Sequence, residues 1–249
     1  MAYKHNAPFH ADVVGSYLRP AELKAAREDF AAGKIDAAEL KAVEDKAITE
    51  LVTKQKATGL HVITDGEFRR AYWHLDFMWG LQGVSKGTNP VAVHGSNGSE
   101  VTETAAVSGE ISGENHPFIE HFKFVKQFED DNTVAKITVP SPAQTLFLLQ
   151  AGAAEDFTNP YANDDKLAEA LVKAYSQVTR DLFDAGCRNL QLDDCTWGML
   201  VSEDFKDSVF GRDPKAVQRQ YAGINNAVID AVPEGMTVNT HICRGNYQS

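Results

Sequence analysis

The sequence predicts an α/β protein with a (β/α)8 TIM-type barrel, of which about six of the eight strands are present in these 249 residues. Short apolar runs alternate with long amphipathic segments along the chain, which is typical of a parallel sheet covered by helices. No G-x-G-x-x-G sequence follows the first apolar run, so the barrel is favoured over an open dinucleotide-binding sheet. We expect a single barrel domain over residues 1–249, truncated at its carboxyl end, because a full barrel needs eight strands.

The six predicted strands are the short apolar runs. They lie at residues 11–15, 60–64, 105–111, 134–139, 189–192 and 237–240. The stretch 85–104 is rich in Gly, Ser, Asn and Thr, and we interpret it as an insertion or hairpin within the domain.

The predicted helices are indicated by capping residues and by apolar periodicity. Asp36 and Glu39 have the spacing of a capping box, and Gly59 suits the position just after the helix end. Asp213 followed by Pro214 is a typical helix start. Further helices are predicted at residues 21–30, 117–128 and 163–185, and from residue 143 onward.

The composition argues against several classes of partner. The chain has 24 Lys and Arg against 35 Asp and Glu, a formal net charge of −11, so neither nucleic acid nor an anionic membrane would attract it. It contains no apolar run long enough for a membrane span and no signal peptide at its polar start. Three cysteines are an odd and sparse set, which indicates a reducing compartment. We therefore expect small-molecule substrates and a cytoplasmic location.

Polar residues follow several of the predicted strands, and in an α/β barrel the chemistry lies at these carboxyl ends. His241 and Cys243 alternate along one strand, so both side chains point the same way. An imidazole and a thiolate together suit zinc, although a catalytic zinc needs a third protein ligand. The alternative is a core histidine beside a buried cysteine. The direction of Cys195 cannot be read from the sequence.

The acidic strand ends leave more than one interpretation open. Asp193 and Asp194 could hold a ligand ammonium group or a metal, act as a base, or cap a helix. The sequence Asp65-Gly66-Glu67 could aim a carboxylate into the barrel mouth or form an ordinary turn.

Two further strand residues have alternative interpretations. Ser16 and nearby N–H groups could bind a carboxylate, or simply form a turn. Lys136 would suit Schiff-base chemistry, but no second catalytic group accompanies it in the sequence.

Four of these strand-end motifs together resemble a known family. They are VGSYLRP at 14–20, TDGEFRR at 64–70, LQLDD at 190–194 and THICRGN at 240–246. In this order and spacing they resemble the catalytic domain of cobalamin-independent methionine synthase, and more closely its short single-barrel relatives.

The resemblance implies a zinc-dependent methyltransferase that moves a methyl group from 5-methyltetrahydrofolate, usually polyglutamylated, to the thiol of homocysteine, giving methionine. It implies His241 and Cys243 as two zinc ligands. It further implies Ser16 on the homocysteine carboxylate, and Glu67 with Asp193 on the ammonium group. The family's other two zinc ligands, a Glu and a Cys, would lie beyond Ser249.

One departure from the family pattern concerns the methyl donor. The long enzymes of the family have a Trp after the fourth strand, whereas residues 140–145 here read PSPAQT. The alternatives are a corrinoid donor, another thiol acceptor such as coenzyme M, or a non-catalytic truncated remnant. The oligomeric state is not predicted.

Overall fold

The computed structural model describes residues 12–89, 102–151, 159–201 and 212–243. The first half contains α1 (Ala21–Ala31), α2 (Ala37–Ala57), β1 (Val62–Ile63), α3 (Leu75–Gly80), β2 (Gln82–Asn89), β3 (Thr102–Ser112) and α4 (Phe118–Lys126). The second half contains β4 (Val134–Ala135), β5 (Ile137–Pro140), α5 (Pro142–Ala151), α6 (Asp164–Asp184), β6 (Asn189–Asp194), α7 (Thr196–Leu200), α8 (Pro214–Asp230) and β7 (Thr237–Ile242).

The strands form three small sheets. β5, β6 and β7 are parallel in that order, β1 pairs with β4 in parallel, and β2 pairs with β3 antiparallel. Only Lys136 separates β4 from β5, so the first two sheets adjoin each other at that residue. The α/β class is confirmed, and within the described ranges the strands do not close into a barrel.

The predicted strand at 11–15 is not found in its described part, residues 12–15, which have no strand conformation. Instead of pairing as a strand, its backbone accepts hydrogen bonds from the side chains of Thr64 and Gln191. The Thr64 hydroxyl donates to Gly15 O at 2.9 Å, and the Gln191 amide donates to Val14 O at 2.6 Å. These bonds hold the segment beside the sheet without regular pairing, and within it only Gly15 is buried while Val14 is 52% exposed.

The predicted strand at 105–111 exists as part of β3, but its partner and direction differ from the expectation. Since β3 runs antiparallel to β2, the two form a hairpin rather than a β-α-β unit. The predicted insertion at 85–104 overlaps this hairpin, and residues 90–101 within it lie outside the described residues.

The predicted helix starts are confirmed by their caps. In α2 the Asp36 carboxylate accepts from Glu39 N at 2.8 Å, and the Glu39 carboxylate accepts from Asp36 N at 2.9 Å. Asn163 caps α6, and Asp213 caps α8 with Pro214 in its first turn. None of the described helices is long and apolar enough to cross a membrane.

The core lies between the parallel strands and the helices that cover them. All six residues of β6 are buried, and so are all four of β5. Helix α6 contributes the apolar face predicted from its periodicity, including Leu171, Tyr175 and Leu182. This packing fixes the carboxyl ends of β5, β6 and β7 side by side.

His116 is a neutral histidine within this core. Its Nε2 donates to Phe77 O at 2.9 Å, while its Nδ1 accepts from Phe118 N at 3.2 Å, so one neutral tautomer satisfies both contacts. Burial lowers the pKa of His116 to about 4. A Cβ at Gly80 would lie only 2.7 Å from His116 Nε2, so glycine is required at position 80.

We expect acid to destabilise the protein through His116. Its pKa is lowered on folding from 6.5 to about 4, so the unfolded chain binds more protons between these values. The free energy of unfolding should therefore fall by about 2 kcal/mol through this group as the pH drops from 7.5 to 5. His116→Gln can keep both hydrogen bonds and should lose less stability over that range. Urea unfolding at the two pH values checks this, and equal losses in both proteins would contradict it.

Candidate functional site

The parallel register brings the predicted site residues together at one edge of the sheet. Asp193 at the end of β6 lies between Pro140 of β5 and His241 of β7. The carboxyl edge of a parallel sheet is where α/β proteins usually bind their ligands.

Asp193 and His241 are in direct contact. His241 Nδ1 lies 3.1 Å from Asp193 Oδ1, and the Gln191 amide donates to the same oxygen at 2.7 Å. Burial raises the pKa of Asp193 to about 6, with the nearby Glu67 carboxylate adding to the rise. At neutral pH Asp193 is therefore mostly ionised and accepts the Nδ1 proton of His241, which directs Nε2 away from the carboxylate.

Glu67 reaches the same region from the turn after β1. It is 4% exposed, and its Oε1 accepts from the Thr138 hydroxyl at 3.1 Å and from Arg70 at 3.4 Å. Thr138 lies on β5, next to β6, so these contacts place the Glu67 carboxylate on the side of Asp193. Two buried carboxylates thus face one region of the sheet edge.

The backbone of this turn is strained. Gly66 and Glu67 have φ values of 67° and 59°, and Glu67 is one of only two non-glycine residues with a positive φ among the described residues. A Cβ at Gly66 would lie 2.3 Å from Leu51, which excludes other residues there. Holding a glutamate in the left-handed region costs about 1–3 kcal/mol, and such strain is concentrated at functional sites.

The segment containing Ser16 lies against this turn. Tyr17 N donates to Gly66 O at 3.1 Å, and a Cβ at Gly15 would lie 2.7 Å from Thr138 Cγ2. Ser16 itself is exposed. The structure therefore places the backbone next to Ser16 against the turn, while the role of its hydroxyl on a carboxylate stays a prediction.

Cys243 follows β7 and lies beside Cys195, whose side-chain direction could not be read from the sequence. Its amide donates to Asp194 O at 3.0 Å, which continues the pairing of β6 and β7 past their last residues. Burial raises the pKa of the Cys195 thiol, and the Cys243 thiol beside it adds to the rise. Both cysteines are half-buried, so two thiols adjoin the Asp193–His241 pair.

Lys136 and Gln191 form a polar network beneath the site that the sequence did not reveal. The Lys136 ammonium binds Asp12 at 3.0 Å, Gln191 Oε1 at 2.8 Å and the carbonyl of Val13. Three acceptors occupy the ammonium group, so the Schiff-base alternative has no support in the structure. The sequence signal for this network was a lysine and a glutamine inside two predicted apolar strands, 134–139 and 189–192.

Asp194 and Asp65 have the structural roles that the sequence left open, at a helix start for Asp194 and in a turn for Asp65. The Asp194 carboxylate accepts from Thr196 N at 2.9 Å and from Asn225 at 2.9 Å, which joins the start of α7 to α8. Asp65 accepts from Glu67 N at 2.9 Å within its own turn. Both acids therefore stabilise the backbone that presents the neighbouring site residues.

His241 and Cys243 fit two positions of a zinc site. The contact of Asp193 with His241 Nδ1 is the carboxylate–histidine arrangement that orients an imidazole toward a metal. Imidazole nitrogen and thiolate sulfur are ligands that zinc prefers. Within the described residues, no group of three or more His, Cys, Asp or Glu has the arrangement of a metal site, so the pair accounts for only part of a ligand set.

The fold and this strand-end cluster are those of an α/β protein with its site at the carboxyl edge of a parallel sheet. The chain belongs to the family described as the cobalamin-independent synthase catalytic domain, whose model matches residues 9–249. The resemblance seen in the sequence motifs is thereby confirmed.

Known proteins of this family are similar to most of the chain. The uncharacterized protein YxjG of Bacillus subtilis is 41% identical, covering 97% of this chain and 63% of its own length. A methionine synthase of Saccharolobus solfataricus is 25% identical, covering 94% of this chain and 62% of its own length. The chain thus spans less than two thirds of the length of these relatives.

A solved structure shares the fold. It is of a Listeria monocytogenes protein with the provisional name vitamin-B12-independent methionine synthase, which superimposes with a TM-score of 0.79. That protein is 41% identical, and the match covers 97% of this chain and 67% of the Listeria chain. The arrangement of strands described above is therefore shared with a longer member of the family.

We expect Gln191→Leu to destabilise the site network. The leucine removes the amide that joins Val14 O, Asp193 and Lys136, so buried polar groups lose their partner at a total cost of about 3 kcal/mol. Gln177→Leu is the matched control, since Gln177 bonds only Asp181 on the same helix in the described contacts. Its effect should stay within about 0.5 kcal/mol. Urea unfolding of both variants tests this, and equal losses would rule out the network.

Proposed function

We propose that this chain forms most of a zinc-dependent methyltransferase that moves the methyl group of 5-methyltetrahydrofolate, in its polyglutamate form, to the thiol of homocysteine. The observation that carries the proposal is the meeting of two buried carboxylates with a His–Cys pair at one sheet edge. An amino acid that carries a thiol needs these two kinds of group next to each other.

The carboxylates of Glu67 and Asp193 would bind the homocysteine ammonium group. The described bonds of Glu67 end on Oε1 and those of Asp193 on Oδ1, which leaves a second oxygen of each outside those bonds. A cation between two buried carboxylates offsets their repulsion and their loss of hydration. Ser16 and its backbone would bind the substrate carboxylate at the opposite end of the amino-acid backbone.

His241 and Cys243 would hold the metal, and Asp193 would keep the His241 ring in place through Nδ1. Zinc, when bound, lowers the pKa of a coordinated thiol so that a thiolate is present at neutral pH. The methyl transfer forms an S–CH3 bond and breaks the N5–CH3 bond of the donor, whose nitrogen keeps the electron pair and takes up a proton. The further metal ligands would come from outside the residues described here.

We also propose that the parallel sheets are part of a (β/α)8 barrel formed as a single domain. The support is the order of parallel strands and the likeness to a longer family member. Assays should therefore compare the 249-residue chain with its longer relatives. Methyl-folate and a methyl-corrinoid should both be tried as donors, since residues 140–145 contain no Trp.

We expect Cys243→Ser to abolish zinc retention in a complete chain that also supplies the further metal ligands. A serine hydroxyl is a much weaker zinc ligand than a thiolate, so the zinc content should fall at least about tenfold. Cys187→Ser is the control, because Cys187 is fully buried and lies before β6 rather than after it. Metal analysis after dialysis, with circular dichroism for the fold, measures this. Full zinc content in Cys243→Ser would remove Cys243 from the ligand set.

We expect Glu67→Gln to weaken homocysteine binding at least about tenfold while zinc binding is unchanged, because a charge-assisted contact contributes about 1.5–3 kcal/mol. Glu44→Gln is the matched control, since Glu44 is also buried against arginines but pairs with Arg27 and Arg69. Asp193→Asn is less specific, because Asp193 also holds His241. Calorimetric titration with homocysteine tests this, and unchanged affinity in Glu67→Gln would exclude Glu67 from the ammonium site.

A further inference from the structure

We propose that Cys195 and Cys243 are a site of reversible oxidation, at which a peroxide converts the two thiols into an intramolecular disulfide. The proposal rests on the geometry of the two strand ends. Its consequence for metal binding rests on the proposed function, and the experiments below separate the two.

The register of β6 and β7 places the two cysteines opposite each other. Asp193 pairs with His241, and Asp194 pairs with Ile242, so the next pair in the same register is Cys195 and Cys243. The bond from Cys243 N to Asp194 O, at 3.0 Å, keeps the two chains together at this point. Neighbouring strands lie about 4.8 Å apart, which falls within the Cα separation of about 4.4–6.8 Å found in disulfides.

The side chains are also close together. Burial raises the pKa of Cys195 and the neighbouring Cys243 thiol adds to the rise, which places the two thiols next to each other. Cys195 is the residue before α7 and has φ −94° and ψ −7°, which turns the chain after the end of β6. Both residues are partly exposed at the sheet edge, where a small oxidant can reach them.

The third cysteine serves as an internal reference. Cys187 is fully buried, and its thiol contacts Asn189 O at 3.6 Å. It precedes β6, whereas Cys195 follows that strand, so the length of six residues separates the two. A strand of six residues spans about 20 Å, which is far beyond the reach of a disulfide. The structure therefore allows one intramolecular pair among the three cysteines.

The reaction with hydrogen peroxide balances in two steps. The thiolate of one cysteine attacks a peroxide oxygen, the O–O bond breaks, and the products are a sulfenic acid and water after proton uptake. The second thiol then attacks the sulfenic sulfur, forming the S–S bond and releasing a second water. The two thiols lose two electrons and two protons, and the peroxide is reduced to two waters.

The disulfide would occupy the sulfur that the proposed zinc site needs. Because the thiolate is the metal ligand, a Cys243 held in a disulfide cannot coordinate. Cys195 would thus form part of an oxidant-sensitive switch on metal binding, in which reduction restores the ligand. Bound zinc should in turn slow the oxidation, since it occupies the same sulfur atom.

The test is limited oxidation of the zinc-free 249-residue chain with hydrogen peroxide, followed by alkylation and peptide mass mapping. We expect two of the three cysteines to become resistant to alkylation, a mass loss of two hydrogens, a linked peptide pair containing Cys195 and Cys243, and full reversal by dithiothreitol. Cys187→Ser should behave like the parent chain, whereas Cys195→Ser should form no linked pair. Oxidation to sulfinic acid without a link, or dimers joined between chains, would overturn the proposal.

Zinc titration of the reduced and oxidised protein, in a form that also carries the further metal ligands, separates this inference from the proposed function. We expect the oxidised chain to bind zinc at least tenfold more weakly, and zinc added beforehand to slow formation of the linked pair. If the linked pair forms but zinc binding is unchanged, the oxidation site stands and Cys243 is not a ligand. If zinc binds normally to the reduced chain but no link forms, the oxidation site is wrong and the metal assignment stands.

Discussion

The buried ammonium group of Lys136 is the interaction on which the rest of the site depends. It lies between β4 and β5 and binds Asp12 and Val13 of the amino-terminal segment together with Gln191 of β6. A buried charge without these partners would be costly, so docking of that segment and pairing of the strands stabilise each other. Gln191 in turn holds Asp193, and Asp193 holds the His241 ring. The Lys136 ammonium group thus helps to orient polar groups from the amino-terminal segment to the end of β7.

The electrostatics of the sheet edge follow from this arrangement. Arg70 lies under Glu67, and its guanidinium also donates to Thr138 O and lies over the Phe118 ring at 4.4 Å. Glu67 and Asp193 therefore each accept hydrogen bonds from fixed donors at one oxygen. These bonds orient the two carboxylates without neutralising the site. Burial raises the pKa of Asp193 and the nearby Glu67 carboxylate adds to the rise, so a cationic ligand at Asp193 would offset this cost.

The sequence predicted most helices and the last two strands, because these depend on local signals. The capping box of Asp36 and Glu39 and the buried run of β6 can be read within a few residues. The antiparallel partner of β3 and the irregular segment at 12–15 depend on tertiary pairing, which periodicity does not encode. The contact of Cys195 with Cys243 joins residues 48 positions apart and arises from strand register. Side-chain alternation placed His241 and Cys243 on one face, but only the register added Asp193 to them.

The left-handed backbone of Glu67 lowers the stability of the turn, whereas its carboxylate supplies a negative charge to the site. Glycine or asparagine would relax the backbone there, yet each would delete the carboxylate. A directed-evolution campaign that selects for heat resistance alone would therefore face two opposing effects at this residue, because replacing Glu67 relaxes the turn but leaves the buried Arg70 guanidinium without its carboxylate. Libraries built on this scaffold should hold position 67 constant, or apply selection for ligand binding in every round.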